Sequence, residues 1–153
     1  MSDGSLKMIV GITVGAYDLF HIGHLNLLRN ARAQCDKLIV GIASSDRIFK
    51  YKNKRPIFTD DERLDIVRNC RFVDDVFLND SDPNFAASYT NLAKQYAATR
   101  WLVGSDWQGN AKWIEIGIQL GQIGCELVYL PHTSGVSTTD IIKRILDTGN
   151  KPE

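Results

Sequence analysis

The chain is expected to form one α/β domain, an open sheet of about five parallel strands with helices on both faces. Three observations lead there. Five short apolar runs alternate with five segments of helical periodicity. The runs are β-branched and nearly continuous in apolar residues, which suits strands buried on both sides. At 153 residues, the chain has no internal repeat, linker or low-complexity segment and fits a single core.

Taken in order, Met8–Val14 is the first strand candidate, followed by a helix with Leu25, Leu27, Leu28 and Ala31 on its apolar side. Lys37–Ser44 is a second strand, and a basic loop then runs to Pro56. Thr59-Asp60-Asp61-Glu62 is a capping box that opens a helix reaching about Asn69. A short strand covers Asp75–Leu78. Asp82-Pro83 reads as N-cap and first helical position, with Phe85, Tyr89, Leu92 and Tyr96 turned inward. Arg100–Gly104 is the fourth strand. Residues 111–122 form a helix with Trp113, Ile114, Gly117, Ile118 and Gly121 on one side. Cys125–Leu130 is the fifth strand, and Ser137-x-x-Asp140 caps a last helix with the stripe Ile141, Ile142, Ile145, Leu146. The domain spans 8–147, with residues 1–7 and 148–153 read as flexible tails.

Composition excludes several classes. Formal net charge is zero, which gives no global attraction to nucleic acid or to acidic membranes. No apolar run approaches the roughly 20 residues of a membrane helix. The polar N-terminus carries no signal-peptide core, and three dispersed cysteines suggest neither a disulfide framework nor a zinc site. A cytoplasmic protein with buried thiols is expected.

In parallel sheets, ligands bind beyond the carboxyl ends of the strands, where the strand order reverses. The loops after strands are therefore the informative ones. After the first, Gly15–His24 reads GAYDLFHIGH. His21 and His24, three apart at a helix start, share a face and suit a phosphate; a metal pair or two core histidines are the other readings. After the second, Lys50, Lys52 and Lys54 alternate, so an extended segment points them to one side, as a phosphate site or as a solvated loop. Arg63 falls in the first turn of a helix, against the dipole, and an anion there would relieve the conflict. After the fourth come Gly104, Asp106, Trp107 and Gly109. After the fifth, Ser137, Thr138 and Thr139 open a helix, as a second anion site or plain caps. P-loop and G-x-G-x-x-G patterns are absent from the sequence, which removes support for kinase-type and dinucleotide-type readings.

GAYDLFHIGH resembles the H-x-G-H signature of the nucleotidyltransferase superfamily, and with GSDWQG (Gly104–Gly109) and TSGVSTT (Thr133–Thr139) the chain resembles its bacterial cytidylyltransferases, those typified by the glycerol-3-phosphate enzyme. The three blocks match in order and spacing over nearly the whole domain. The resemblance implies a Rossmann-like fold and in-line transfer of CMP from CTP to a small phosphorylated alcohol, with Mg²⁺ arriving on the nucleotide and held by no protein side chain directly. It implies His21, His24, Lys52 and Arg63 as catalytic residues. Gly15, Ala16, Tyr17, Asp18, Gly23, Gly104, Asp106, Trp107, His132, Thr133, Ser137 and Thr138 would border the nucleotide, and Lys52 and Lys54 the acceptor. It also implies a homodimer with no nucleic-acid or membrane partner. Two positions depart from the family pattern: Ala16 stands for a hydroxyl residue, and His132 for an arginine that would be always charged and bidentate. Adenylyl transfer to a phosphorylated cofactor precursor, or a nucleotide-binding regulatory module without catalysis, are the competing readings.

Overall fold

The computed structural model describes residues 7–149. The tails expected at 1–7 and 148–153 lie outside the described residues except at Lys7, Thr148 and Gly149. In chain order the elements are β1 (Val10–Gly15), α1 (Ile22–Arg32), β2 (Lys37–Ala43), α2 (Ser45–Lys52), α3 (Asp60–Arg68), β3 (Asp75–Asn79), α4 (Ala86–Gln95), β4 (Arg100–Gly104), a 3-10 turn (Ser105–Trp107), α5 (Ala111–Gln122), β5 (Glu126–Leu130) and α6 (Thr138–Thr148).

The five strands are parallel in the order β3-β2-β1-β4-β5. The chain leaves β1 toward β2 and β3, then returns to place β4 on the other side of β1. That reversal between β1 and β4 opens a crevice at their carboxyl ends. One face of the sheet packs Leu28 and Ala31 of α1 and Val67 of α3 on Leu38, Val40, Ile42 and Leu102. The other packs Tyr89 and Ala93 of α4 and Trp113, Ile116 and Leu120 of α5 on Ile12, Trp101 and Val103. Trp101 is fully buried, and Tyr89 meets it edge-on at 5.2 Å and Trp113 at 5.3 Å. Each such pair adds about 0.5–1.5 kcal/mol to the burial of the rings.

The five strands and the capping box at Thr59 lie where the sequence places them. Four expectations change. The basic stretch after β2 is not an extended loop: Ser44 caps it by accepting the Arg47 N–H at 3.1 Å, so a sixth helix, α2, runs to Lys52. Asp82 does not cap α4; it accepts the Asn84 N–H at 2.8 Å in a turn of its own, and the helix begins at Ala86 with Phe85 exposed. On α5 the buried side is Trp113, Ile116 and Leu120, while Ile114 and Ile118 are more than half exposed and, with Gly117 and Gly121, border a shallow groove along β5. None of the residues of α6 is buried, so its stripe does not enter the core.

The tightest approach in the sheet is at Gly11, where an added Cβ would stand 2.8 Å from Cys35 Sγ and 3.0 Å from Leu102 Cδ1. Gly11→Ala is expected to destabilise the fold by about 1–3 kcal/mol. Cys35→Ala in the same background should recover part of that loss, because it removes the sulfur. Urea unfolding of both single variants and the double variant measures the coupling; additive losses would show that this contact does not limit position 11.

Candidate active site at the reversal of strand order

The loop leaving β1 carries the densest constraints in the molecule. Tyr17 and Leu19 have φ of 54° and 49°, a left-handed conformation that costs a side-chain-bearing residue roughly 1–2 kcal/mol. Side-chain contacts hold it. The Tyr17 ring is buried beside His24, at 5.2 Å between centroids. Asp18 accepts the Ile57 N–H at 2.7 Å and the Phe58 N–H at 2.9 Å through its two carboxylate oxygens. The Thr138 hydroxyl donates to the Asp18 carbonyl at 3.0 Å, which ties the start of α6 to the same loop.

Arg63 stands beneath this loop with no exposure. Its Nε donates to Phe58 O at 3.1 Å, its Nη1 to Ala16 O at 2.9 Å and Ala43 O at 2.6 Å, and its Nη2 to Ser45 Oγ at 3.2 Å and Asp60 Oδ1 at 2.6 Å. Five N–H groups meet five acceptors, so none is left for a phosphate. The expected role of Arg63 as a phosphate ligand is corrected accordingly: its conflict with the dipole of α3 is relieved by Asp60 and by backbone carbonyls. Although burial works in the other direction, hydrogen bonds from Ser45 and the Arg63 charge hold the Asp60 carboxyl below its ordinary pKa.

His21 and His24 form a reciprocal cap on α1. His21 Nδ1 accepts the Gly23 N–H at 3.1 Å, and His24 Nδ1 accepts the His21 N–H at 3.2 Å. The rings stack at 3.8 Å with 24° between planes. A ring whose Nδ1 accepts carries its proton on Nε2, so both neutral rings present an Nε2–H donor. Burial lowers the His21 pKa. Burial, then the His21 charge, lower that of His24 to about 4 against the opposing pull of Asp18. Near neutral pH the pair is two uncharged donors.

Both rings line a cavity of about 420 Å³ that also takes in Gly23, Lys52, Gly104, Asp106, Trp107, His132, Thr133, Ser137 and Thr138. The structure thus brings eleven of the sequence-derived site residues to one cavity. Gly15, Ala16, Tyr17, Asp18, Lys54 and Arg63 do not line it. Of these, Tyr17, Asp18 and Arg63 brace the wall from behind. Lys52 and Lys50 project from the last turn of α2, so the shared direction expected from an extended segment is lost, and Lys50 lies over the Tyr51 ring instead. The Lys52 ammonium is partly desolvated at the cavity wall, and that, followed by the like charges of Lys54, Arg47 and Lys112, lowers its pKa.

On the far wall, Asp106 Oδ1 lies 3.6 Å from His132 Nδ1, and an added Cβ at Gly104 would stand 2.5 Å from the same oxygen. Ser137 Oγ accepts the Asp140 N–H at 3.0 Å and is the cap of α6. The Asn26 amide donates to Thr133 Oγ1 at 3.1 Å, which fastens the loop after β5 to α1. Trp113, Leu27 and Val136 also line the cavity, though the apolar pattern placed Trp113 and Leu27 on the inward sides of their helices. The position of Trp113 in the first turn of α5, the helix that follows β4, was the available signal. Among the described residues, no group of three His, Cys, Asp or Glu side chains is placed to hold a metal ion, and Asp106 is the one carboxylate on the lining. Two helix starts, two neutral donors, an ammonium and hydroxyls around one crevice suit a polyphosphate.

Two measurements test this construction. Arg63→Met is expected to cost about 3–5 kcal/mol in urea unfolding, and Arg63→Lys to recover only part, since an ammonium has three donors for five acceptors. A loss below about 1 kcal/mol, the scale of an exposed ion pair, would remove Arg63 as the tie. The His24 pKa is lower in the fold than in the unfolded chain, so the unfolded chain takes up the proton first on acidification. Its contribution is therefore complete above pH 6.5 and is lost as pH falls toward 4, by about 3 kcal/mol over that window. His24→Asn should flatten this acid limb when unfolding midpoints are compared across it; an unchanged slope would contradict the neutral ring.

Comparison with known proteins agrees with this geometry. The sequence pattern of the cytidylyltransferase-like family matches residues 12–144. A glycerol-3-phosphate cytidylyltransferase of Bacillus spizizenii is 33% identical over 132 residues, 86% of this chain and 93% of the relative. A FAD synthase of Thermococcus kodakarensis is 25% identical over 146 residues, 94% of this chain and 93% of the relative. Among solved structures, a lipopolysaccharide core biosynthesis protein from Thermoplasma volcanium superposes with a TM-score of 0.65 at 20% identity, covering 83% of this chain and 98% of that one, a likeness of fold. The chain belongs to the cytidylyltransferase-like family and is a nucleotidyltransferase.

Proposed function

We propose that the protein transfers CMP from CTP to a small phosphorylated alcohol, glycerol 3-phosphate or a close analogue, with release of pyrophosphate. The observation that carries the reading is the stacked His21–His24 pair, whose rings line the cavity and whose Nδ1 atoms accept backbone N–H groups, leaving each Nε2–H as a donor. An oxygen of the acceptor phosphate attacks the α-phosphorus in line. The new O–P bond forms as the bond to the bridging oxygen breaks, and that oxygen leaves with pyrophosphate. The two neutral donors hydrogen-bond the oxygens on which charge grows, and Lys52 offsets the repulsion between the two phosphate groups. The start of α6, with Ser137, Thr138 and Thr133, is suited to the β- and γ-phosphates. Asp106 and Trp107 border the nucleoside. Mg²⁺ brought in on the triphosphate would offset its charge and would be held mainly by phosphate oxygens and water, since Asp106 is the one carboxylate on the lining. We read the assembly as a homodimer, for which the exposed Ile114 and Ile118 beside edge strand β5 supply an apolar face.

The FAD synthase relative supports a second reading, adenylyl transfer to a phosphorylated cofactor precursor. Pyrophosphate release, assayed with CTP and with ATP against glycerol 3-phosphate, phosphoethanolamine, phosphocholine and FMN, separates the two. Turnover with CTP and a phospho-alcohol is the expected result, turnover only with ATP and FMN selects the second, and CTP binding without product favours a regulatory module. His21→Asn separates the cap from the chemistry. Asparagine keeps an acceptor for the Gly23 N–H but has no counterpart of Nε2–H. It should lower kcat by about 10²–10³-fold while leaving the melting temperature nearly unchanged. Wild-type turnover in that variant would remove the role assigned to the ring.

A further inference from the structure

Arg47 in the first turn of α2, Lys52 at its end, Lys54 just beyond it and Lys112 at the start of α5 are close enough that the other three charges act on Lys52. Among the described residues none of them has a carboxylate within 4.0 Å. For lysines on a surface that is ordinary. For Arg47 it is not. Four arginines are buried or partly buried, Arg32, Arg47, Arg63 and Arg100, and the other three are each paired with a carboxylate. Arg47 uses Nε to hold the Ser81 carbonyl at 2.6 Å, and among the described residues neither of its Nη groups has an acceptor. Asp80 and Asp82 act on Arg47 only from beyond ion-pair distance, while Asp80 accepts the Ser44 hydroxyl and Asp82 the Asn84 N–H.

The surroundings connect these groups to the cavity. Lys52 and Trp113 line it. Tyr89 meets the Trp113 ring at 5.3 Å and lies within electrostatic reach of Arg47, and Lys112 immediately precedes Trp113. Lys112 also stands in the first turn of α5, where a cation opposes the helix dipole. Partly desolvated like charges raise the energy of the empty protein, and a multiply charged anion between them would lower it.

We infer that Arg47 and Lys112, together with Lys52, form the phosphate-binding end of the acceptor subsite, which selects a dianionic phosphomonoester and aims it into the cavity past Trp113. The inference rests on the cytidylyl-transfer reading for its function, but the subsite itself is defined by these side chains. Arg47 supplies the two-pronged contact, as its free Nη edge matches two oxygens of one phosphate. Lys112 supplies charge at the entrance. Of the four cations only Lys52 lines the cavity itself, so Arg47 and Lys112 act just outside it, and Lys54 adds field only.

The experiment has two arms. In steady-state assays at saturating CTP, Arg47→Met and Lys112→Met should raise KM for the phosphorylated acceptor, by roughly tenfold or more for Arg47 and about threefold for Lys112, with KM for CTP within about twofold of wild type. Arg47→Lys should recover part of the loss, and Lys94→Met, an exposed change on α4, should do nothing. In calorimetry without nucleotide, inorganic phosphate should bind the wild-type chain and bind both Met variants correspondingly more weakly. Unchanged acceptor KM and phosphate affinity in both variants, or a rise in KM for CTP instead, would overturn the inference. If no acceptor is turned over, the cytidylyl reading fails while the calorimetric arm still decides the subsite. If Arg47→Met does not fold, Lys112→Met decides, because Lys112 is exposed.

Discussion

A fully buried guanidinium is the fixed point of this molecule. Arg63 joins the carbonyl of Ala16 in the signature loop, that of Ala43 at the end of β2, that of Phe58 ahead of α3, and the side chains of Ser45 and Asp60. Each partner belongs to a segment that would otherwise end in solvent at the carboxyl edge of the sheet. Bringing a permanent cation out of water is costly, and only complete satisfaction of its donors makes the burial tolerable. The same requirement makes the arrangement specific, because displacing any of the three carbonyls leaves both it and one N–H unpaired. Asp18 repeats the device with opposite sign, accepting two backbone N–H groups from Ile57 and Phe58. Together the two charges lock the left-handed Tyr17–Leu19 loop in place and so set where α1 begins.

That order of dependence explains what was legible in the sequence. The strands were readable because a parallel strand buried on both faces needs an unbroken apolar run, as in Lys37–Ala43. The cavity lining was readable where residue type alone marks a polar group: the two histidines, Lys52, Thr133 and Ser137 all border it. Arg63 was found but given the wrong task, since a cation in the first turn of a helix looks the same whether a ligand or five protein acceptors neutralise it. Helix α2 was missed because its apolar content, Ile48 and Phe49 among lysines, is too small to show a period, while the Ser44 cap that nucleates it is a single residue. The exposure of Ile114 and Ile118 could not be read at all, for the orientation of α5 is decided by Tyr89 and Trp101 on other elements.

Capping and ligand binding are usually divided among different residues. In the reading proposed above they coincide in one pair of rings. His21 and His24 satisfy two N–H groups at the start of α1 with one nitrogen each and leave the other as a donor. The backbone thereby selects the tautomer, and the stacking at 3.8 Å keeps the two donors at a fixed spacing.

An uncharged pair of this kind also bears on how a reaction ends. Lysines and arginines at the centre of a phosphate site would grip a departing polyanion as tightly as an arriving one. Neutral imidazoles respond instead to the local build-up of charge on an oxygen, which is greatest midway through the transfer and subsides afterwards. In the proposed transfer the two histidines, unlike Lys52 on the same lining, would therefore hold the departing pyrophosphate without a permanent charge.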